Sequence, residues 1–291
     1  MSKMVAVLEL GTNTYKYVVG SDEGIVLDGA LPLRLGSDLH TTGGISDQVA
    51  TQAIEQIKRT LAEVRPFEPQ EIICVGAMTL RMANNAEAFR GRVREETGLR
   101  MGVLSSEQEA CLAFKAASAE SVMAGAKAVL DVGGGSAELA FGSDEPGYNC
   151  SLPLGAVLLT DRFIDNDPPS ESSLEAMRSY IRGLLEQNIR GVESSALIVI
   201  GGTARNLASI SGKITLNKEE LLGLFDFLKA KPLSERKKIQ GLDPGRADII
   251  IAGGLLIMEV MEILHLDSFS ACEKGVRHAI LAEAIRGEWQ S

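Results

Sequence analysis

The chain of 291 residues is 45% hydrophobic and 23% charged, the balance of a soluble globular protein with room for two domains. Its net charge of -10 argues against non-specific binding to nucleic acid or to an anionic membrane. A site for a polyanionic small molecule would therefore need its own donors, basic groups or metal cations.

In chain order, strands are expected at 5–10, 15–19, 71–75, 128–132, 137–141 and 197–200. Amphipathic helices are expected at 46–63, 85–97, 106–119, 170–187, 218–228 and 248–264, with a helical tail from Lys274 onward. Residues 1–20 lack the basic head and apolar core of a signal peptide. The most apolar run, 249–260, is broken by Glu259 and too short to span a bilayer, so it reads as a buried helix. Cys74, Cys111, Cys150 and Cys272 form no C-x-x-C pair, and His40, His265 and His278 no H-x-x-x-H spacing. Neither a zinc site nor a disulfide framework is expected, and a reducing cytoplasm is the expected location.

The pattern of strands and helices points to α/β domains, and the chain repeats itself. AVLELGTNTYKYVVG at Ala6 is echoed by AVLDVGGGSAELAFG at Ala128, so that Glu9 recurs as Asp131 and Gly11 as Gly133, both 122 positions on. ICVGAMTLRMA at Ile73 is echoed by IVIGGTARNLA at Ile198, where Gly76 recurs as Gly201, 125 positions on. The expected organisation is two similar α/β domains, 1–122 and 123–291, with the last helix, about 275–291, packing back on the first.

Each domain thus opens with strand, acid, glycine-bearing loop, strand. Backbone N–H groups of a Gly-rich turn can bind phosphate oxygens without a charged side chain. Gly133, Gly134, Gly135 and Ser136 offer such a turn, and Thr12, Asn13 and Thr14 supply hydroxyl and amide donors in the first loop. Glu9 and Asp131 stand two residues before the first glycine, placed to hold a hard divalent cation such as Mg²⁺, which uses few carboxylates together with phosphate oxygens. A single Gly-rich hairpin is usually only a turn. A structural turn has no reason to recur with its acid, which favours the functional reading.

On these motifs the chain resembles the exopolyphosphatase/guanosine pentaphosphate phosphohydrolase (Ppx/GppA) family of the actin/sugar-kinase/Hsp70 superfamily. The matching segments are ELGTNTYK at Glu9, GAMTLRMANN at Gly76, SSEQEACLAF at Ser105, DVGGGSAEL at Asp131, LPLGAVLLTDRF at Leu152 and IGGTARNLA at Ile200. The resemblance implies two duplicated ribonuclease-H-like (actin-like ATPase) domains with a cleft between them. It makes Glu109 the catalytic carboxylate that orients or deprotonates the attacking water. From spacing alone, Glu109 reads as a first-turn acid favoured by the helix dipole. The resemblance also links Asp131 and Glu138 to metal and makes Glu9 the first hairpin's acid, with Mg²⁺ or Mn²⁺ as the cofactor. Arg81, with Asn85, matches a phosphate-contacting segment, and Lys16 falls at a position that is often basic. The family's first hairpin normally carries Asp where Glu9 stands, so the charge is kept on a side chain one methylene longer.

The implied activity is release of terminal phosphate from inorganic polyphosphate or from guanosine pentaphosphate, between which the sequence does not choose. A nucleotide would want a base pocket near Gly201, Gly202 and Thr203. Two other readings stay open: an ATP-dependent kinase of the same superfamily, and a non-catalytic sensor of a phosphorylated nucleotide. The substrate is the main partner expected, with no nucleic acid and no membrane, and a homodimer is entertained. Arg205 is read as structural, and Arg236-Lys237-Lys238 as a solvated basic face.

Overall fold

The computed structural model describes residues 2–37, 39–120 and 125–290, without the side chains of His40 and Thr41. The chain divides into two compact units, one of Met1–Leu112 with Val276–Ser291 and one of Ala113–Gly275. The division falls inside the helix Ser106–Glu120. The boundary expected between residues 122 and 123 lies outside the described residues.

The first unit is built on a five-stranded sheet of order β3-β2-β1-β4-β5, formed by β1 (Val5–Leu10), β2 (Thr14–Ser21), β3 (Gly24–Pro32), β4 (Glu71–Gly76) and β5 (Met101–Val103). The first three strands form an antiparallel meander, and β4 and β5 add in parallel on the other side of β1. β1 is buried along its whole length, as expected of a central strand covered on both faces. On the helix Asp47–Val64 the buried positions Ala50, Ala53, Ile54, Ile57, Thr60 and Val64 recur at three- and four-residue spacing. Their apolar stripe packs with Leu8, Leu10 and Cys74 in one core, each large aliphatic side chain contributing about 1.5–3 kcal/mol. The helix Val276–Arg286 packs on β1 and β2, and Lys3 Nζ donates to its Ala284 carbonyl at 2.9 Å.

The second unit repeats the plan. β6 (Lys127–Val132), β7 (Ala137–Gly142) and β8 (Pro146–Leu152) form an antiparallel meander. β9 (Ala196–Ile200) pairs in parallel with β6, and β11 (Ser268–Ala271) with β9. β10 (Thr215–Asn217) closes the far edge antiparallel to β11. The order β10-β11-β9-β6-β7-β8 therefore contains the first sheet's arrangement plus one extra edge strand, so the sequence echo is also a topological one.

The apolar run near residue 250 becomes the helix Ile250–Ile263, buried on almost all sides. Glu259, fully buried in it, binds Arg178 Nη1 at 2.6 Å and Arg182 Nε at 2.7 Å. Those two arginines stand four residues apart on the helix Glu171–Ile189, one turn and hence one face. The basic triplet is not wholly a solvated face. Arg236 is buried and donates to the carbonyls of Ala247 and Lys231 and to Asp167, while Lys237 and Lys238 are exposed.

Candidate functional site

In the first unit, the β1–β2 register places Glu9 opposite Lys16. The turn between the strands is closed by Gly11 N–H donating to the Thr14 carbonyl at 3.0 Å. The following loop grips this turn from outside: Leu33 and Arg34 N–H both donate to the Asn13 carbonyl, and Gly36 N–H to the Thr12 carbonyl. Thr12 Oγ1 accepts from Thr79 Oγ1 at 3.0 Å. Asn13 is buried, and its Oδ1 has no partner among the described residues, an orphan acceptor in the very turn where ligand donors and water are expected.

Glu9 is buried and has partners on both oxygens. Oε1 accepts from Lys16 Nζ at 2.6 Å and Oε2 from the backbone N–H of Arg277 at 3.2 Å. Burial alone would raise its pKa. The charges of Lys16 and Arg277, with the hydrogen bonds from both, outweigh burial and hold the carboxyl below its ordinary value.

Arg81 and Glu109 meet in the same unit. Arg81 stands on the short helix Met78–Met82 just beyond β4. Its Nη1 donates to the Leu104 carbonyl at 2.7 Å and forms an ion pair with Glu109 Oε2. Glu109 is fixed by a capping box at the start of its helix: Gln108 N–H donates to Ser105 Oγ, and Ser105 N–H to Gln108 Oε1. The phosphate-contacting cation and the catalytic carboxylate read from the sequence are thus direct partners. Asn85 is engaged elsewhere, taking the Ile45 N–H on its Oδ1 and giving its Nδ2 to the Ile45 carbonyl.

The second unit's hairpin has the same closure, Gly133 N–H to the Ser136 carbonyl at 3.1 Å, but Asp131 stands opposite Glu138, an acid. Glu138 is buried rather than on a solvated strand face. Its Oε1 accepts from Ser136 Oγ at 2.6 Å and from Ser151 Oγ at 2.8 Å.

The carbonyls of the glycine turn are taken by the helix Ala156–Phe163. Ala156 N–H donates to Gly133, Val157 and Leu158 N–H to Gly134, and Gly155 N–H to Gly135. A trans peptide points its C=O and N–H in opposite directions, so the N–H groups of Gly134, Gly135 and Ser136 face away from that helix as a row of donors. Close approach demands glycine at position 155, where a Cβ would stand 2.3 Å from the backbone of Gly134. The LPLGA motif has its physical reason there.

Gly201 and Gly202 lie against the same hairpin. Gly201 has φ 98°, and a Cβ on it would come within 2.8 Å of the Val132 carbonyl and 3.1 Å of Asp131 Oδ1. On Gly202 a Cβ would fall 1.8 Å from Arg246 Cζ, so the guanidinium lies directly over that glycine. Arg246 is buried, and burial together with the neighbouring charge of Arg205 pulls it down to about 10, against the opposing pull of Asp243, Asp131 and Asp248. No motif in the sequence marks Arg246. The available signal was an Asp-Pro-Gly turn (its Asp243 Oδ1 accepting Gly245 N–H) that delivers an arginine to the mouth of a buried helix. Thr203 turns away from the hairpin: it is buried against Gly253, where a Cβ would meet its Oγ1 at 2.4 Å.

No cluster of three or more His, Cys, Asp or Glu side chains suited to a metal ion occurs among the described residues. Mg²⁺ does not require one, since it keeps waters and takes phosphate oxygens beside one or two carboxylates. Asp131 and Glu138, opposite each other across one strand pair, suit that demand. Glu9 differs in being paired with a cation, Lys16, across its hairpin.

Two such units, each opened by an acid-bearing hairpin in one strand order, define a protein of the actin-like fold. Within that class the chain belongs to the Ppx/GppA phosphatase family, whose family model matches residues 22–287. It is 28% identical over 305 residues to exopolyphosphatase 1 of Mycobacterium tuberculosis, covering 98% of this chain and 89% of that protein. The crystal structure of the Aquifex aeolicus family member superposes with a TM-score of 0.85 at 26% identity, covering 100% of both chains. An exopolyphosphatase from Cytophaga hutchinsonii shares the fold with a TM-score of 0.90 at 22% identity over 98% of each chain.

Proposed function

We propose that this phosphatase-family chain hydrolyses phosphoanhydrides with the help of a divalent metal, releasing terminal phosphate from inorganic polyphosphate. The observation that carries the reading is the Arg81–Glu109 pair, which joins a phosphate-binding cation to a carboxylate able to handle a water proton. The exopolyphosphatase names of the relatives above support the choice of substrate.

In this reading Arg81 binds the terminal phosphate, and Glu109 accepts the proton of the attacking water. Thr12, Thr14 and Lys16 in the first hairpin, and the N–H row of Gly134, Gly135 and Ser136 in the second, bind phosphate oxygens. Mg²⁺ or Mn²⁺ would sit at Asp131 and Glu138 and neutralise charge on the phosphate oxygens. No seryl or cysteinyl nucleophile is invoked.

Guanosine pentaphosphate is a second substrate reading, favoured by one observation. A cavity of about 560 Å³ in the second unit, lined by Arg205, Asn206, Asp243, Cys272 and Glu273 among others, has the size and polarity for a nucleoside. The test is phosphate release from both substrates with Mg²⁺ or Mn²⁺. Glu109→Gln is expected to lower kcat by about 10²–10⁴-fold, the usual worth of a general base. Wild-type protein that binds either substrate tightly and releases no phosphate would make the chain a sensor instead.

A further inference from the structure

The helix Val276–Arg286 packs on β1 and β2, on the face that carries Glu9, whose Oε2 takes the Arg277 N–H. In the parallel register Glu9 stands beside Val75, and Val75 beside Gly102. All three belong to that face, with Ile73 two positions before Val75. Over β4 and β5 lies a cavity of about 500 Å³, lined by Ile73, Val75, Gly102, Arg90, Arg100 and Trp289 among others.

Trp289, the chain's one tryptophan, is delivered there by the way the helix ends. Gly287, at φ 75°, donates its N–H to the Ala284 carbonyl, and Glu288 N–H donates to the Glu283 carbonyl. These are the paired bonds of a Schellman cap, which turns the chain off the helix axis. The indole Nε1 is buried and has no partner among the described residues, so it is a donor still to be satisfied. At Gly102 the strand leaves room: a Cβ there would meet only Val75 Cγ1 at 3.7 Å and the Cys74 carbonyl at 3.9 Å.

The charges of the lining cancel, save one. Glu71, its only acid, pairs with Lys3 at 2.7 Å. Arg90 pairs with Glu87, and its Nε donates to the Met101 carbonyl. Arg100, exposed, is left.

We propose that this cavity is a regulatory site for a small aromatic carboxylate, its ring between the indole and the apolar strand floor and its carboxylate on Arg100. One uncancelled guanidinium matches a monoanion better than a doubly charged phosphate, and its fork gives a carboxylate two parallel hydrogen bonds. An indole beside aliphatic side chains favours a planar ring, and the volume is that of a small-molecule pocket.

The cavity shares its walls with the supports of the Arg81–Glu109 pair. Leu104 lines it and holds Arg81 Nη1 on its carbonyl at 2.7 Å. Gln108 lines it too, and its Oε1 caps the Ser105 N–H at the start of the Glu109 helix. A ligand that shifts either group changes the seat of the pair. The effect on catalysis rests on the hydrolase reading above; the binding does not.

With a single tryptophan, fluorescence of the full chain reports this cavity directly. Benzoate and phenylacetate are expected to change the emission saturably. Benzyl alcohol, the uncharged counterpart, is expected to bind about tenfold more weakly or worse, the worth of one charge-assisted hydrogen bond. Arg100→Gln is expected to lose the same factor for benzoate. Gly102→Leu fills the cavity from a position with room for a side chain, and is expected to abolish the response while still unfolding cooperatively in urea. Hydrogen exchange across residues 104–110 is expected to change on addition of benzoate in the wild type and not in Gly102→Leu. An emission that neither carboxylate alters, or that answers equally to benzyl alcohol, overturns the site. Bound benzoate with unaltered exchange at 104–110 overturns the regulation. Phosphate release by the wild type is read separately, and its absence tells against the hydrolase reading rather than against this site.

Discussion

At the scale of single residues, the chemistry lies in who is paired with whom. Sequence spacing puts an acid and a base in the first hairpin, but only the strand register shows that they neutralise each other. Arg81 and Glu109 are 28 positions apart, and nothing local announces their contact; the family motifs singled out both, and the fold joins them. Asp28 carries no signal in the sequence, because β3 is too exposed and irregular to alternate cleanly. Burial pushes the Asp28 carboxyl up, but the hydrogen bond from His278 and the Arg277 guanidinium outweigh it and hold it at about 2. A carboxyl depressed on folding contributes stability that is complete above its unfolded pKa near 3.8 and is lost as pH falls toward 2. Asp28→Asn is therefore expected to lower the urea midpoint at neutral pH, and the gap from wild type to shrink as pH drops from about 4 to 2. A gap that stays constant across that range would refute the linkage.

At the scale of elements, glycines and caps decide what can approach what. The strong strands and the long amphipathic helices were legible because their apolar residues keep one period throughout. The short pieces β5, β10 and β11 were not, because three or four residues carry no period. The helix Ala156–Phe163 was visible only as a family motif, LPLGA, whose reason is the contact of Gly155 with the glycine turn. Gly155→Ala would drive a methyl into the Gly134 backbone, which cannot move aside as a side chain can. It is expected to cost about 1–3 kcal/mol in urea unfolding, the usual range for overpacking, and to weaken phosphate binding as the turn shifts. Glu259 shows the opposite kind of limit: the sequence marks an acid within an apolar run, while its two arginines lie on another helix. A charge so buried is retained only with partners, and they are two residues separated by one helical turn.

At the scale of the whole molecule, duplication was the most legible feature, since two echoes in one order leave little room for accident. Its detail was not, because copies that share a backbone diverge in side-chain pairing, and pairing needs coordinates. The return of the last helix to the first unit has a further consequence, in the order of folding. The second unit is one uninterrupted stretch, 113–275, and holds every strand of its own sheet. The first unit is split, and its second piece, from Val276 onward, leaves the ribosome only after the whole of the second unit. During synthesis, Asp28 and one oxygen of Glu9 must wait for Arg277 and His278 until the second unit has been made. Residues 113–275 expressed alone are expected to unfold cooperatively. Residues 1–112 alone are expected to lack that cooperativity and to gain it when a peptide of residues 276–291 is added, as measured by circular dichroism during thermal denaturation. The unit that is started first is finished second.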